Sequence, residues 1–275
     1  MKNLFLGHTN SYHGFTLEEA LKGIAKAGFK YVEINAVKGW TEHLSADISD
    51  SDLNKVKEML KELDLKVVAL SGHCNLLDDE RLSDFRENIK LAARLDCTYI
   101  VSSVGEAHFM EDEEKNDCKL IANLKSLEPL LEKYNLKLAI ETHGDEYGSG
   151  KSLVEVMQKV NSKHIGINFD TANCYFWGGA LPLDDIKTCL EYVNFVHLKD
   201  KLGEQKTWNF PGIGNGELPL REVIEYMVNN GYDGPFSVEV EYTEEFCMRD
   251  KDRPGDIDIP DKEMADSYKF LSAIK

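Results

Sequence analysis

Short apolar runs alternate with longer amphipathic stretches from one end of the chain to the other. Leu4–Gly7, Lys30–Ile34, Leu65–Leu70, Thr98–Val101, Leu136–Ile140, Ile165–Phe169, Val193–Val196 and Phe236–Val240 are four to six residues long and mostly apolar. That is the pattern of strands covered on both faces. Between them fall stretches with helical spacing. In Ser51–Leu63, for example, Leu53, Val56, Leu60 and Leu63 share one face. Thr16 with Glu19 forms a capping-box signal for a helix through Ala27, which Gly28 ends. Further helices are predicted over Ser83–Leu95, Leu120–Tyr134, Leu153–Val160, Leu183–Tyr192, Leu220–Asn229 and Lys262–Ile274. One long loop, Lys199–Leu218, interrupts the rhythm. Eight strands in strict alternation with eight helices predict a single (β/α)8 TIM barrel rather than a doubly wound sheet. No composition shift divides it, so residues 1–275 are expected to form one domain.

Four successive strands end in the same way. Leu136–Ile140 runs into Glu141, Ile165–Phe169 into Asp170, Val193–Val196 into His197, and the last strand carries Glu239. A charged group closing an apolar strand must reach a mouth, bind something, or cost several kcal/mol. A lone strand-end carboxylate is more often solvated or salt-bridged, so the series of four carries the inference. In a barrel, chemistry sits at the C-terminal ends of the strands. Adjacent βα units are roughly 30 residues apart and adjacent strands about 4.8 Å, so the four side chains can converge. Three carboxylates and an imidazole suit one divalent cation such as Mn2+, Mg2+ or Co2+, with Zn2+ less favoured.

Composition narrows the function classes. The 275-residue chain carries a formal charge of −17, which argues against nucleic acid as a partner. The six cysteines form no C-x-x-C pair and read as reduced thiols of a cytoplasmic protein. Leu4–Leu6 is too short an apolar run for a signal peptide, and no stretch approaches a membrane span. The sequence is compatible with a homo-oligomer. The βα loops also hold His8, His13, His73, His108 and His143, of which His73 and His143 are the preferred pocket residues. Trp40, Phe109, Tyr175, Trp177, Trp208 and Phe210 offer rings for the apolar faces of a sugar, or simple loop packing. Glu33 reads as a structural carboxylate inside the barrel, and the acidic run Glu111–Glu114 as a solvated helix start. Gly212–Gly216 lacks the Lys-Ser/Thr of a P-loop and reads as a tight loop at the mouth.

Five segments together resemble the xylose-isomerase-like barrel superfamily of sugar-phosphate isomerases and epimerases: Ala139–Gly144, Asn168–Asn173, Val196–Asp200, Gly212–Gly216 and Gly231–Glu239. The resemblance implies Glu141, Asp170, His197 and Glu239 as ligands of one divalent cation, manganese first, with Mg2+, Co2+ or Zn2+ as alternatives. It further implies Glu141 and Glu239 as the acid/base pair, one on each face of a bound keto-sugar, acting through a metal-stabilised enediolate. Two positions depart from the ketose 3-epimerases of that superfamily. Asn173 stands where they carry histidine, and Lys199 and Lys201 are the nearest cations to the place of their arginine. Substrate contacts therefore cannot be copied from them; His73, His143, Asn173, Lys199, Trp177 and Trp208 are the candidates here. The resulting expectation is an isomerase or epimerase of a carbohydrate-like small molecule, a keto-sugar or related hydroxy-carbonyl compound. A lyase or dehydratase on a keto-sugar, inosose or keto-glycoside uses the same site. An abasic-site endonuclease-like phosphodiesterase is a third reading, opposed by Trp208, Phe210 and Asn173 at positions of its extra metal ligands. A metal-stabilised scaffold without catalysis is the fourth.

Overall fold

The computed structural model describes residues 4–106, 115–243 and 255–274. Eight parallel strands close into a barrel: β1 Phe5–His8, β2 Tyr31–Asn35, β3 Lys66–Ser71, β4 Tyr99–Ser102, β5 Lys137–Glu141, β6 Ile165–Asp170, β7 Val193–Leu198 and β8 Phe236–Val238. β1 pairs with both β2 and β8, which completes the ring. Eight main helices follow the strands: α1 Leu17–Ala27, α2 Asp50–Glu62, α3 Asp79–Arg94, α4 Asp117–Tyr134, α5 Gly150–Val160, α6 Pro182–Cys189, α7 Leu220–Asn229 and α8 Asp258–Ser272. The expected (β/α)8 TIM barrel is the observed architecture. No helix among the described residues is long and apolar enough to cross a membrane.

Element starts follow their caps. The Thr16–Glu19 capping box is present, and Gly28 ends α1 in the left-handed region at φ 112°. α3 begins earlier than the apolar spacing predicts, because Asp78 accepts from the backbone N–H groups of Glu80 and Arg81. The stretch Leu183–Tyr192 is split into α6 and a 3-10 turn over Leu190–Tyr192. His108, Phe109 and Glu111–Glu114 lie outside the described residues.

Side chains two apart on a strand point the same way. Leu6, Tyr99, Val101, Ala139 and Phe195 form one buried apolar cluster that fills the lower barrel. Two positions beyond Leu6, Ala139 and Phe195 stand His8, Glu141 and His197, all buried. The inward face thus changes from apolar to ionisable as each strand nears its C-terminal end. The larger apolar cluster lies between strands and helices and holds the framework that fixes these strand ends.

Candidate active site

The register of the ring sets the site. Asp170 is opposite His197 across β6 and β7, and His197 is opposite Ser237, two positions before Glu239. Glu141, Asp170, His197 and Glu239 each offer a ligand atom, and these atoms lie within 4.8 Å of one another. All four residues are at most 4% exposed, so charge left unbalanced there is costly.

Each member is oriented by neighbours. Glu141 Oε1 accepts from the Asn173 amide at 2.8 Å, and Oε2 from His73 Nε2 at 2.6 Å. His73 Nδ1 in turn meets the Ser71 hydroxyl at 2.7 Å. Glu239 Oε1 accepts from the Asn10 amide at 2.9 Å and has His8 Nδ1 at 3.3 Å. Asp170 Oδ1 accepts the backbone N–H groups of Ala172 and Asn173, both at 2.8 Å. His197 Nε2 donates to Glu33 Oε2 at 3.1 Å, which turns Nδ1 towards Glu141 and Glu239 at 3.5 and 3.4 Å.

Two atoms of this set are left over. His197 Nδ1 and Asp170 Oδ2 are buried without a hydrogen-bond partner among the described residues. An imidazole nitrogen and a carboxylate oxygen without hydrogen bonds of their own, beside two more carboxylates and with the Lys199 ammonium 3.3 Å from the oxygen, fit the donor set of a divalent cation. The electrostatics are strained accordingly. Burial pushes the Asp170 carboxyl up to about 6, against the pull of Lys199. Burial works the same way on Glu141 and Glu239 but is outweighed, by His197 and His73 for the first and by Lys199 and His197 for the second; both stay well below the usual range. His197 is held well above its ordinary value because Glu33, Glu239 and Glu141 outweigh its burial.

A small cavity lies over the cluster, with room for about one water-sized sphere. His73, His143, Asn173, Lys199 and Trp208 line it together with Glu141 and Glu239. Asp170 and His197 lie beneath, fully buried. Trp177 is not on this wall: its ring packs behind His143 at 5.1 Å and on Phe176 at 4.8 Å. Burial pushes the His143 imidazole down to about 4. Trp208 donates its indole N–H to the Glu241 carbonyl at 3.3 Å and stacks edge-on against Phe176 and Phe210. His13 and Trp40 stack on each other at 4.2 Å in a separate cleft.

The same wall includes Asn10, Asn35, Ser71 and Glu241, which the sequence reading did not single out. Glu241 had a readable signal, since it lies two positions beyond Glu239 and shares its face if the strand pattern continues. Asn10 had none: it sits in a 3-10 turn over Thr9–Tyr12 that has no periodic signature. Lys199 pairs with neither Asp200 nor Glu217 but with Glu241, Glu239 and Asp170. Asp200 instead accepts backbone N–H groups of Gly214 and Gly216 and fastens the Gly212–Gly216 loop.

The chain belongs to the xylose isomerase-like TIM barrel family, whose model matches residues 21–274. Among solved structures, a xylose isomerase domain protein from Planctomyces limnophilus superposes with a TM-score of 0.73 at 18% identity, covering 99% of this chain and 96% of that one. D-psicose 3-epimerase from Clostridium cellulolyticum H10, solved with D-tagatose, gives 0.78 at 15% identity over 100% and 99%. A xylose isomerase-like TIM barrel protein from Mycobacterium smegmatis in complex with magnesium gives 0.76 at 15% over 100% and 98%. At these identities the likeness establishes the shared fold. An uncharacterised protein of Methanocaldococcus jannaschii is 26% identical over 123 residues, which span 43% of this chain and 41% of that protein.

Proposed function

We propose that the chain acts as one catalytic domain, a divalent-metal-dependent isomerase or epimerase of a keto-sugar or related hydroxy-carbonyl compound. The carrying observation is the pair Glu141 and Glu239, each bound by one amide and flanking His197 Nδ1 at 3.5 and 3.4 Å. Glu141, Asp170, His197 and Glu239 would hold the cation, manganese, magnesium, cobalt or zinc. When bound, it supplies a Lewis acid that polarises a carbonyl and acidifies the neighbouring C–H. The similarity to a 3-epimerase solved with D-tagatose and to a protein solved with magnesium supports this reading.

The chain's own residues supply the proton traffic. One glutamate removes the α-proton and the other returns one, from the opposite face in an epimerase. His73 and Asn173 fix the Glu141 carboxylate, and Asn10 fixes that of Glu239, so neither must reorient during reaction. Lys199 brings an ammonium to the cavity wall, placed to donate to a substrate oxygen. His143 and Trp208 complete the wall, with Trp177 supporting His143 from behind.

Turnover of candidate keto-sugars and inososes in deuterium oxide tests the reading. Deuterium is expected at the reacting carbon. Glu141→Gln and Glu239→Gln should each lose at least about 100-fold in rate, the usual contribution of a positioned acid or base. Full turnover with no deuterium at that carbon would indicate a hydride shift and remove both glutamates from the role of base.

A further inference from the structure

Lys199 stands inside the acidic cluster rather than at its edge. Its Nζ lies 2.7 Å from Glu241 Oε2, 2.9 Å from Glu239 Oε2 and 3.3 Å from Asp170 Oδ2. The residue is 3% exposed. Two of these carboxylates belong to the four-residue ligand set and the third, Glu241, does not. Glu241 is nonetheless built in. The Asn10 amide reaches both Glu239 Oε1 at 2.9 Å and Glu241 Oε1 at 3.3 Å, and Asn35 donates to Asn10 Oδ1 at 3.0 Å. The Lys199 backbone is pinned on both sides by Thr171: its N–H donates to Oγ1 at 3.0 Å, and its carbonyl accepts that hydroxyl at 2.7 Å. Only the flexible side chain is left to move, and its head lies 5.2 Å from the centre of the Phe210 ring.

An ammonium and a divalent cation cannot both draw on Asp170 and Glu239 at full strength, because two positive charges a few ångströms apart in a buried site repel strongly. We propose that Lys199 is the built-in counter-cation of the ligand carboxylates, and that Glu241 receives its ammonium when a divalent cation binds. The inference rests on the reading of the four-residue cluster as a metal site. It gives Glu241 a positioning role without ligation: the ammonium keeps a partner at 2.7 Å as it gives up Glu239 and Asp170. It also explains a buried carboxylate that shares Lys199 with Glu239 and Asp170. A fourth acid placed only to attract metal would need no fixed contact to the lysine.

A double-mutant cycle read by calorimetric titration with Mn2+ tests this. Lys199→Gln should bind Mn2+ about tenfold or more tightly than wild type, and Glu241→Gln about tenfold more weakly. In the Lys199→Gln background, Glu241→Gln should change affinity by less than about threefold, because its effect passes through the lysine. An equal loss in both backgrounds would show Glu241 acting as a simple negative charge and overturn the proposal. So would a Lys199→Gln protein that binds no more tightly than wild type. Lys199→Met, of similar length and apolar, should show the same gain and replaces Lys199→Gln if that variant does not fold. Wild type that binds no Mn2+ overturns the metal reading itself. Wild type that binds, with no coupling in the cycle, overturns this inference alone.

Discussion

Glu33 decides which nitrogen of His197 faces the candidate ligands. It is fully buried and accepts from Nε2 at 3.1 Å, which turns Nδ1 inward. A glutamine there presents a neutral amide and no longer holds the ring with a charged acceptor. Glu33→Gln is therefore expected to weaken Mn2+ binding by about 10- to 100-fold without touching the cation, as measured by titration. From sequence alone this residue read as an interior structural carboxylate, because nothing in Tyr31-Val-Glu33-Ile reveals its partner 164 positions away. Strand-end residues were more legible. Glu141, Asp170 and His197 each follow an apolar run, and the barrel geometry that gathers them is generic. Orientation was not legible: the contacts of Asn10, Asn173 and His73 depend on loop conformation, which leaves no periodic trace.

At the level of elements, the loop between β7 and α7 turns around the Asp200 carboxylate, with Glu263 and Ser267 of α8 accepting from Gly212 and Ile213. Asp200 accepts four backbone N–H groups, those of Lys201, Gly214, Gly216 and Leu218, at 2.8 to 3.2 Å. Gly216 approaches so closely that any Cβ there would collide with the Asp200 carboxylate. Asp200→Ala would leave those donors unsatisfied in a largely buried setting. It should lower unfolding free energy by about 3 kcal/mol in a urea titration, with lost order around Trp208 seen as a changed indole fluorescence. The eight strands and main helices were readable because doubly covered strands are apolar runs and surface helices are amphipathic. Two short strands, Asn209–Phe210 and Tyr242–Thr243, were not: they pair antiparallel across a long stretch of chain and carry no local signal.

For the molecule as a whole, buried neutral groups shape the response to pH. His43 donates from Nε2 to the Phe15 carbonyl at 3.0 Å, and burial pushes its imidazole down to about 4. In the unfolded chain the same ring takes up a proton below its ordinary value of about 6.5. Between those values the unfolded state binds more protons, so stability falls as pH drops from about 6.5 towards 4. His43→Gln lacks this term. Urea titrations at neutral pH and near pH 5 should show the stability gap between wild type and variant shifting towards the variant on acidification.

The barrel, its ring of strand ends and the four ligand atoms within 4.8 Å of one another lead to one central claim, a single divalent cation held by four residues. Metal content after loading with Mn2+ and exhaustive dialysis, measured by elemental analysis, tests it most directly. Wild type is expected to retain about one equivalent per chain, and Asp170→Asn and His197→Ala to lose it while staying folded. Full retention of metal by both variants would place the cation elsewhere and contradict the account.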